Sequence, residues 1–298
     1  MLQQTRVAAV IEHYHEFLSR FPTMQKLAAA RESSVLAAWS GLGYYRRARM
    51  LHAAAKAVVG EHAGKFPESA EALLALPGIG RYTSAAIASI AFGEAIAVVD
   101  GNVERVLGRI IGRGLNSENV WAMAEQFLDR TRPGDFNQAM MELGATVCTP
   151  RSPACLACPV VGLCAARGEI PRTKKPSRQR KREVHYALGQ RDGCVWLVQR
   201  KKSDSLMPGM WELPEIDASA TVIQTRNPKR ELLFRVKHSI TVTDYTVGVW
   251  GAARAATAPG TWVAINRLPK MALTGLARKI LHKAKILPGR MPSRANSI

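Results

Sequence analysis

Four cysteines within 17 residues constrain this chain more than any other stretch: Cys148, Cys155, Cys158 and Cys164, in "CTPRSPACLACPVVGLC", spaced C-x6-C-x2-C-x5-C. In a reducing compartment such a knot is a metal site rather than a disulfide framework. Four thiolates hold either a tetrahedral zinc or a [4Fe–4S] cluster. Zinc ribbons usually set two C-x2-C knuckles far apart. Here only one pair has that spacing, which favours the cluster and leaves zinc open. The fifth cysteine, Cys194, lies in an apolar strand-like run and reads as a plain core residue.

The knot also divides the chain. Before it, residues 1–147 read as helix after helix, from "TRVAAVIEHYHEFLSRF", which ends before Pro22, to "PGDFNQAMMELGATV". Residues 148–168 form the cysteine loop. A basic bridge follows, "RTKKPSRQRKR" at Arg172–Arg182, placing a linker at 169–183. Beyond it the periodicity changes to strand length, as in "CVWLVQR" and "TDYTVGVWGA", and closes on a helix in "LTGLARKILHKAKI". The second domain, 184–285, is therefore α+β, and the tail, 286–298, is predicted to be disordered.

Charge narrows the partner. Forty-two Lys and Arg oppose 23 acids, a formal net charge of +19 with a pI near 10.2, and point first to nucleic acid. No run of apolar residues is long enough for a membrane span, and "MLQQTRVAAVIEHYH" lacks the basic start and apolar core of a signal peptide. The expected place is cytoplasmic. In "LPGIGRYTSAAIAS", Gly78 and Gly80 join two helices and leave backbone N–H groups bare at a helix start, where an anion is favoured. A DNA phosphate is the natural ligand, bound without reading sequence. The other reading is a turn that needs a positive φ. Asp100, opening "DGNVERVLGRIIG", reads as a helix cap.

The run "LPGIGRYT", then "VVDGNVERV", then the cysteine knot resembles the endonuclease III superfamily of base-excision DNA glycosylases. Within it, "MLQQT", "GLGYYRRAR" and "FNQAMMELGA" are similar to the MutY-type adenine glycosylases, which remove adenine mispaired with 8-oxoguanine. The likeness is dense over residues 1–170 and looser beyond. It implies an all-α helix-hairpin-helix domain with a [4Fe–4S] cluster on the four cysteines, joined to an α+β Nudix-like domain. It implies as partner double-stranded DNA carrying A:8-oxoguanine or A:G, bound by a monomer, with a bacterial, nucleoid-associated setting.

The resemblance also assigns residues. Asp100 stabilises or captures the sugar cation, with Asn102 and Tyr82 holding the site. Tyr82 stands where the strand-cutting members carry a lysine, so base removal without an efficient lyase step is implied. Gln4 and Tyr44 intercalate, with Leu42 and Thr5 beside the 8-oxoguanine. From spacing alone, Tyr44 and Tyr45 read instead as core aromatics beside Trp39. Gln138 matches a position that hydrogen-bonds the extruded adenine, and Arg151 meets a phosphate.

In the second domain, "GMWELPE" is similar to the start of a Nudix motif, but the glutamate-rich metal helix is absent, so no pyrophosphatase is expected. Lesion sensing falls to a hairpin tip, where Thr241 alone keeps a hydroxyl between Ile240 and Val242. The family's general-acid glutamate lies two residues before the Met of "MLQQT", upstream of Met1. The expectation is that residues 1–298 bind the mispair but excise adenine little, and that Ser-Glu-Val placed before Met1 restores excision. Two alternatives remain: an endonuclease III-like glycosylase-lyase for oxidised pyrimidines, and a catalytically silent mismatch-binding protein.

Overall fold

A computed structural model describes residues 1, 7–114, 116–167, 180–216, 231–240, 243–252 and 259–288. Gln4, Thr5, Thr241, the tail from 289 and most of the basic bridge lie outside the described residues. The chain divides into two compact units, one of Met1–His52 with Pro176–Ile298 and one of Ala53–Lys175.

The second of these is helical and carries the cysteine knot. Helix α5 (Ala70–Leu74) is capped by Ser69, whose hydroxyl accepts from the Ala72 N–H at 3.2 Å. Helix α6 (Arg81–Phe92) ends at Gly93 in the left-handed region. Helix α7 (Gly101–Ile111) starts at Asp100 and ends at Gly112 with φ 77°. It is strongly amphipathic, burying Val103, Val106 and Leu107 on one face. Helices α8 (Ser117–Phe127) and α9 (Pro133–Glu142) follow, the latter opened by a proline whose missing N–H has no helical partner to lose. A π-helical turn at Leu143–Val147 then delivers the chain to Cys148. Gly144 in that turn is indispensable to the packing, since a Cβ there would stand 2.6 Å from the Asn102 Cβ on α7.

The other unit combines short N-terminal helices with a sheet. Helices α1 (Val7–Arg20), α2 (Met24–Ala29) and α3 (Glu32–Trp39) precede the start of α4 (Tyr45–Glu61). The strands are β1 (Arg180–Arg191), β2 (Cys194–Gln199), β3 (Trp211–Glu212), β4 (Glu215–Ile216), β5 (Leu232–Ile240), β6 (Thr243–Ala252) and β7 (Thr261–Ala264), with α10 (Gly275–Lys283) closing. The sheet runs β3-β2-β1-β6-β5, with β4 beside β1 and β7 beside β2. It is mixed: β1 and β6 are parallel, Val184 opposite Val247, and the other pairs are antiparallel.

Strand β1 begins at Arg180, so the last residues of the basic run are already paired with β6. Alternating residues of β1, β2 and β6 pack with Leu276, Ile280 and Leu281 of α10 to form the core. Cys194 corrects its sequence reading. It is half-buried rather than core, because it opens β2 next to the Asp192–Gly193 turn, where the strand is not yet covered.

Candidate functional site

Asp100 is where the sequence reading and the backbone meet. Its Oδ1 accepts from the N–H groups of Asn102 and Val103, both at 2.8 Å, which makes it the N-cap of α7. Its Oδ2 accepts from Asn102 Nδ2 at 3.0 Å and retains lone-pair capacity for something else. A carboxylate fixed at a helix N-terminus cannot swing away, so it presents a stationary negative charge.

The segment leading into Asp100 is also held. Asn137, buried on α9, accepts from the Val98 N–H at 3.0 Å and donates to Ile96 O at 2.9 Å and to Ser89 Oγ at 3.0 Å. Tyr82, in the first turn of α6, is half-buried and donates to Met141 Sδ at 3.5 Å. Burial raises its pKa above the ordinary phenol value, and the nearby charge of Asp100 raises it further. Tyr82 is therefore a neutral phenol through the physiological range.

The hairpin before α6 has the positive φ that the turn reading requires. Gly78 has φ 77°, which only glycine adopts without strain. Gly80 is extended and has nothing within 4 Å of where a Cβ would stand. Gly80, the N-cap of α6, has no side chain to cap the helix, whose N-terminus favours an anion.

The cysteines are each half-buried and none is in a disulfide. Cys148 follows the π-helical turn, Cys155 opens one 3-10 turn, and Cys158 and Cys164 each close one. Among the described residues no three Cys, His, Asp or Glu side chains converge on a single metal ion. The donor chemistry fits an anionic cluster. Arg109, only 7% exposed on α7, donates from Nη1 to Cys148 Sγ at 3.2 Å and to Thr149 O at 2.8 Å, and from Nη2 to Pro150 O at 3.1 Å. A buried guanidinium needs a counter-charge, and a cluster held at Cys148 would supply one. Cys164 Sγ lies 3.3 Å from Arg109 O.

Arg105 joins the two features and went unread in the sequence. Its Nη2 donates to Asn102 Oδ1 at 2.8 Å and to Gly144 O at 2.6 Å, while Nε donates to Cys148 O at 2.8 Å. A continuous path thus runs from the Asp100 carboxylate through Asn102 and Arg105 to the backbone of the first cysteine. The i,i+3 spacing of Asn102 and Arg105 was the available signal. Arg109 carried none beyond helical position.

The remaining assignments divide. Gln138 is exposed on α9 and donates to Gly134 O at 3.3 Å; Arg151 is exposed in the loop between the first two cysteines. Tyr44 and Tyr45 split the two readings between them: Tyr45 is 4% exposed and Tyr44 is 51% exposed. Leu42 is buried.

Residues 1–133 match the model of the HhH-GPD superfamily base excision DNA repair proteins, residues 148–164 that of the iron-sulfur binding domain of endonuclease III, and residues 184–283 that of the NUDIX domain. The chain is 54% identical over 177 residues to an adenine DNA glycosylase of Homo sapiens, covering 57% of this chain and 32% of the relative. It is 52% identical over 270 residues to an adenine DNA glycosylase of Mus musculus, covering 72% and 52%. A solved thermostable thymine-DNA glycosylase superposes with a TM-score of 0.53 at 31% identity, covering 56% of this chain and 79% of that one. The chain spans about a third to a half of the length of these two curated relatives. No helix among the described residues is long and apolar enough to cross a membrane.

Proposed function

The chain belongs to the HhH-GPD superfamily of base excision DNA repair proteins, and on that premise we propose that it is an adenine DNA glycosylase acting on adenine opposite 8-oxoguanine or guanine in duplex DNA. The observation that carries the reading is the anchored Asp100 carboxylate with the neutral phenol of Tyr82 beside it. Breaking the bond from C1′ to the base sends the bonding pair out with adenine and leaves positive charge on the sugar. A fixed carboxylate stabilises that charge, as in glycoside hydrolysis. Water then adds to C1′ and gives up a proton, the departing adenine takes one up, and the products are free adenine and an abasic site. A phenol offers no amine for a Schiff base, so the strand stays intact.

Asn102 orients the carboxylate, and the N-terminus of α6 after Gly80 takes a phosphate. Arg151 takes another. Gln138 receives the extruded base, and Tyr44 enters the stack that the base vacates, with Gln4, Thr5 and Leu42 lining the lesion side. Cys148, Cys155, Cys158 and Cys164 would hold a [4Fe–4S] cluster, whose contribution when bound is to close the 148–164 loop. The β-rich module senses the 8-oxoguanine, with Thr241 at its tip. The protein acts as a monomer at the nucleoid.

Binding by residues 1–298 carries the test. Affinity for an A:8-oxoguanine duplex should exceed that for undamaged and thymine-glycol duplexes. All affinities should drop by orders of magnitude between about 50 and 200 mM salt, as a handful of phosphate contacts requires. Equal affinity for the three duplexes, or preference for thymine glycol, would refute the adenine reading.

A further inference from the structure

The segment between α3 and α4 presents Tyr44 to solvent, yet its backbone does not support itself. Gly41 has φ 113°, Gly43 φ 69° and Tyr44 φ 47°. The left-handed value at a tyrosine costs energy unless the surroundings impose it. Some support is local. Trp39 Nε1 donates to Gly43 O at 3.2 Å, and the His13 ring lies 3.2 Å from Ser40 O.

The rest comes from far along the chain. Ser40 Oγ donates to Leu273 O at 3.0 Å, and Tyr45 OH donates to the same oxygen at 3.1 Å, across 233 and 228 residues. A carbonyl oxygen has two lone pairs, and here the two ends of one loop take one each. Arg278 Nε completes the set by donating to Ser40 Oγ at 2.6 Å. Ser40 is 5% exposed, Tyr45 4% and Leu273 0%, so water does not compete for these bonds.

The acceptor is itself fixed. Trp211 N–H donates to Ala272 O and Thr274 N–H to Trp211 O, both at 2.9 Å, tying this stretch to β3. A turn into α4, Arg49 Nη2 donates to Pro208 O, just ahead of the same strand. A phenylalanine at 45 would fill the same space, so the buried hydroxyl is what calls for a reason.

We propose that Ser40, Tyr45 and Arg278 form a clasp through which the β-rich module sets the conformation of the Gly41–Tyr44 loop and, with it, the selectivity for the lesion-bearing pair. They are positioning residues, acting through Tyr44. The selectivity part rests on the function proposed above, in which Tyr44 enters the duplex; the clasp itself does not.

The experiment uses the full chain and the double variant Ser40→Ala/Tyr45→Phe, with Ser40→Thr as the conservative control. Amide hydrogen exchange in the free protein should be about tenfold faster at residues 41–44 in the double variant, the size expected from losing one or two hydrogen bonds of ordinary net strength. The interiors of α3 and α4 should exchange as before. The affinity ratio between A:8-oxoguanine and undamaged duplexes should fall about tenfold, through the lesion duplex alone, and Ser40→Thr should keep both properties. Unchanged exchange at 41–44 overturns the clasp. Faster exchange with an unchanged affinity ratio overturns its role in selectivity. A wild-type chain with no lesion preference counts against the function proposed above, and exchange still decides the clasp.

Discussion

Replacing Arg105 by glutamine removes the guanidinium that spans from the Asp100 cap to the cysteine loop. Four acceptors lose a donor: Asn102 Oδ1, and the carbonyl oxygens of Gly144, Cys148 and Gly101, the last at 3.2 Å. The glutamine amide is shorter and carries two N–H groups, so it reaches one of these at best. An acceptor left unpaired in a buried site costs about 1–3 kcal/mol. The Gly144 carbonyl accepts the shortest bond, at 2.6 Å, with the Cys148 carbonyl and Asn102 Oδ1 both at 2.8 Å; the glutamine replaces one of these three, and partial exposure of Arg105 lets water reach part of the remaining gap. The low end for two acceptors gives about 2–3 kcal/mol, within the usual range for breaking a network.

Two readouts follow. The freed loop should retain less iron after purification, seen as a lower iron-to-protein ratio and weaker visible absorption. Asn102, no longer held, should stop fixing Asp100 Oδ2, so affinity for a duplex with a cationic pyrrolidine mimic of the sugar should fall about tenfold per 1.4 kcal/mol lost. Affinity for an undamaged duplex should not change. Arg105→Lys, which keeps the charge without the fork, should fall between. Full iron, wild-type mimic affinity and an unfolding free energy within about 0.5 kcal/mol of wild type, the size of an ordinary surface substitution, would refute the reasoning.

Tyr82→Lys should yield a covalent adduct with an abasic duplex on borohydride treatment, because it places an amine beside Asp100 at the sugar; a folded variant that traps nothing would remove Tyr82 from that position. Anaerobically purified protein should be brown with about four irons per chain, and Cys158→Ala should lose them; a colourless protein with stoichiometric zinc decides for the other metal. His238, on β5, has its pKa lowered, first by burial and then by the Lys279 charge. Because the folded value lies below the unfolded one, its contribution is complete above about pH 6.5 and is lost as pH falls through that value towards the folded one. The urea midpoint of the β-rich unit should therefore drop from pH 8 to pH 5.5, and His238→Gln should flatten that slope.

The fold was legible where a residue type has few uses. The cysteine spacing, the Pro-Gly-Ile-Gly turn and the Asp100 cap each name a backbone geometry, and periodicity distinguishes the helical segments from the strands, although the helices of Met1–His52 group with the strand-bearing segment rather than with the later helices. The structure adds what pairing decides. Arg180 reads as linker because a basic run lacks strand periodicity, yet it opens β1 since β6 supplies ten partners in register. Tyr44 and Tyr45 are chemically identical neighbours, and only the positive φ at the first sends one outward and the other into the core. In a chain with 42 basic residues Arg105 offered only its i,i+3 spacing from Asn102 and Arg109 offered nothing, because an arginine's bridge to a distant segment leaves no pattern in the sequence.

These two arginines explain why one helix matters more than its length suggests. Arg105 and Arg109 lie at i,i+4 on α7, on one face of the helix. The first donates to Cys148 O and the second to Cys148 Sγ, Thr149 O and Pro150 O. The same helix holds Asp100 at its N-terminus. Any shift of the loop that starts at Cys148 must therefore move α7 or break these bonds, and Gly144 leaves no slack, because it already touches Asn102. The cysteine loop and the Asp100 carboxylate are 48 residues apart in sequence, counting from Asp100 to Cys148, but mechanically they are two ends of one short rigid element. Loss of the cofactor should be felt at Asp100 first as lost orientation rather than lost charge, and the cationic-mimic affinity is the measurement sensitive to that difference.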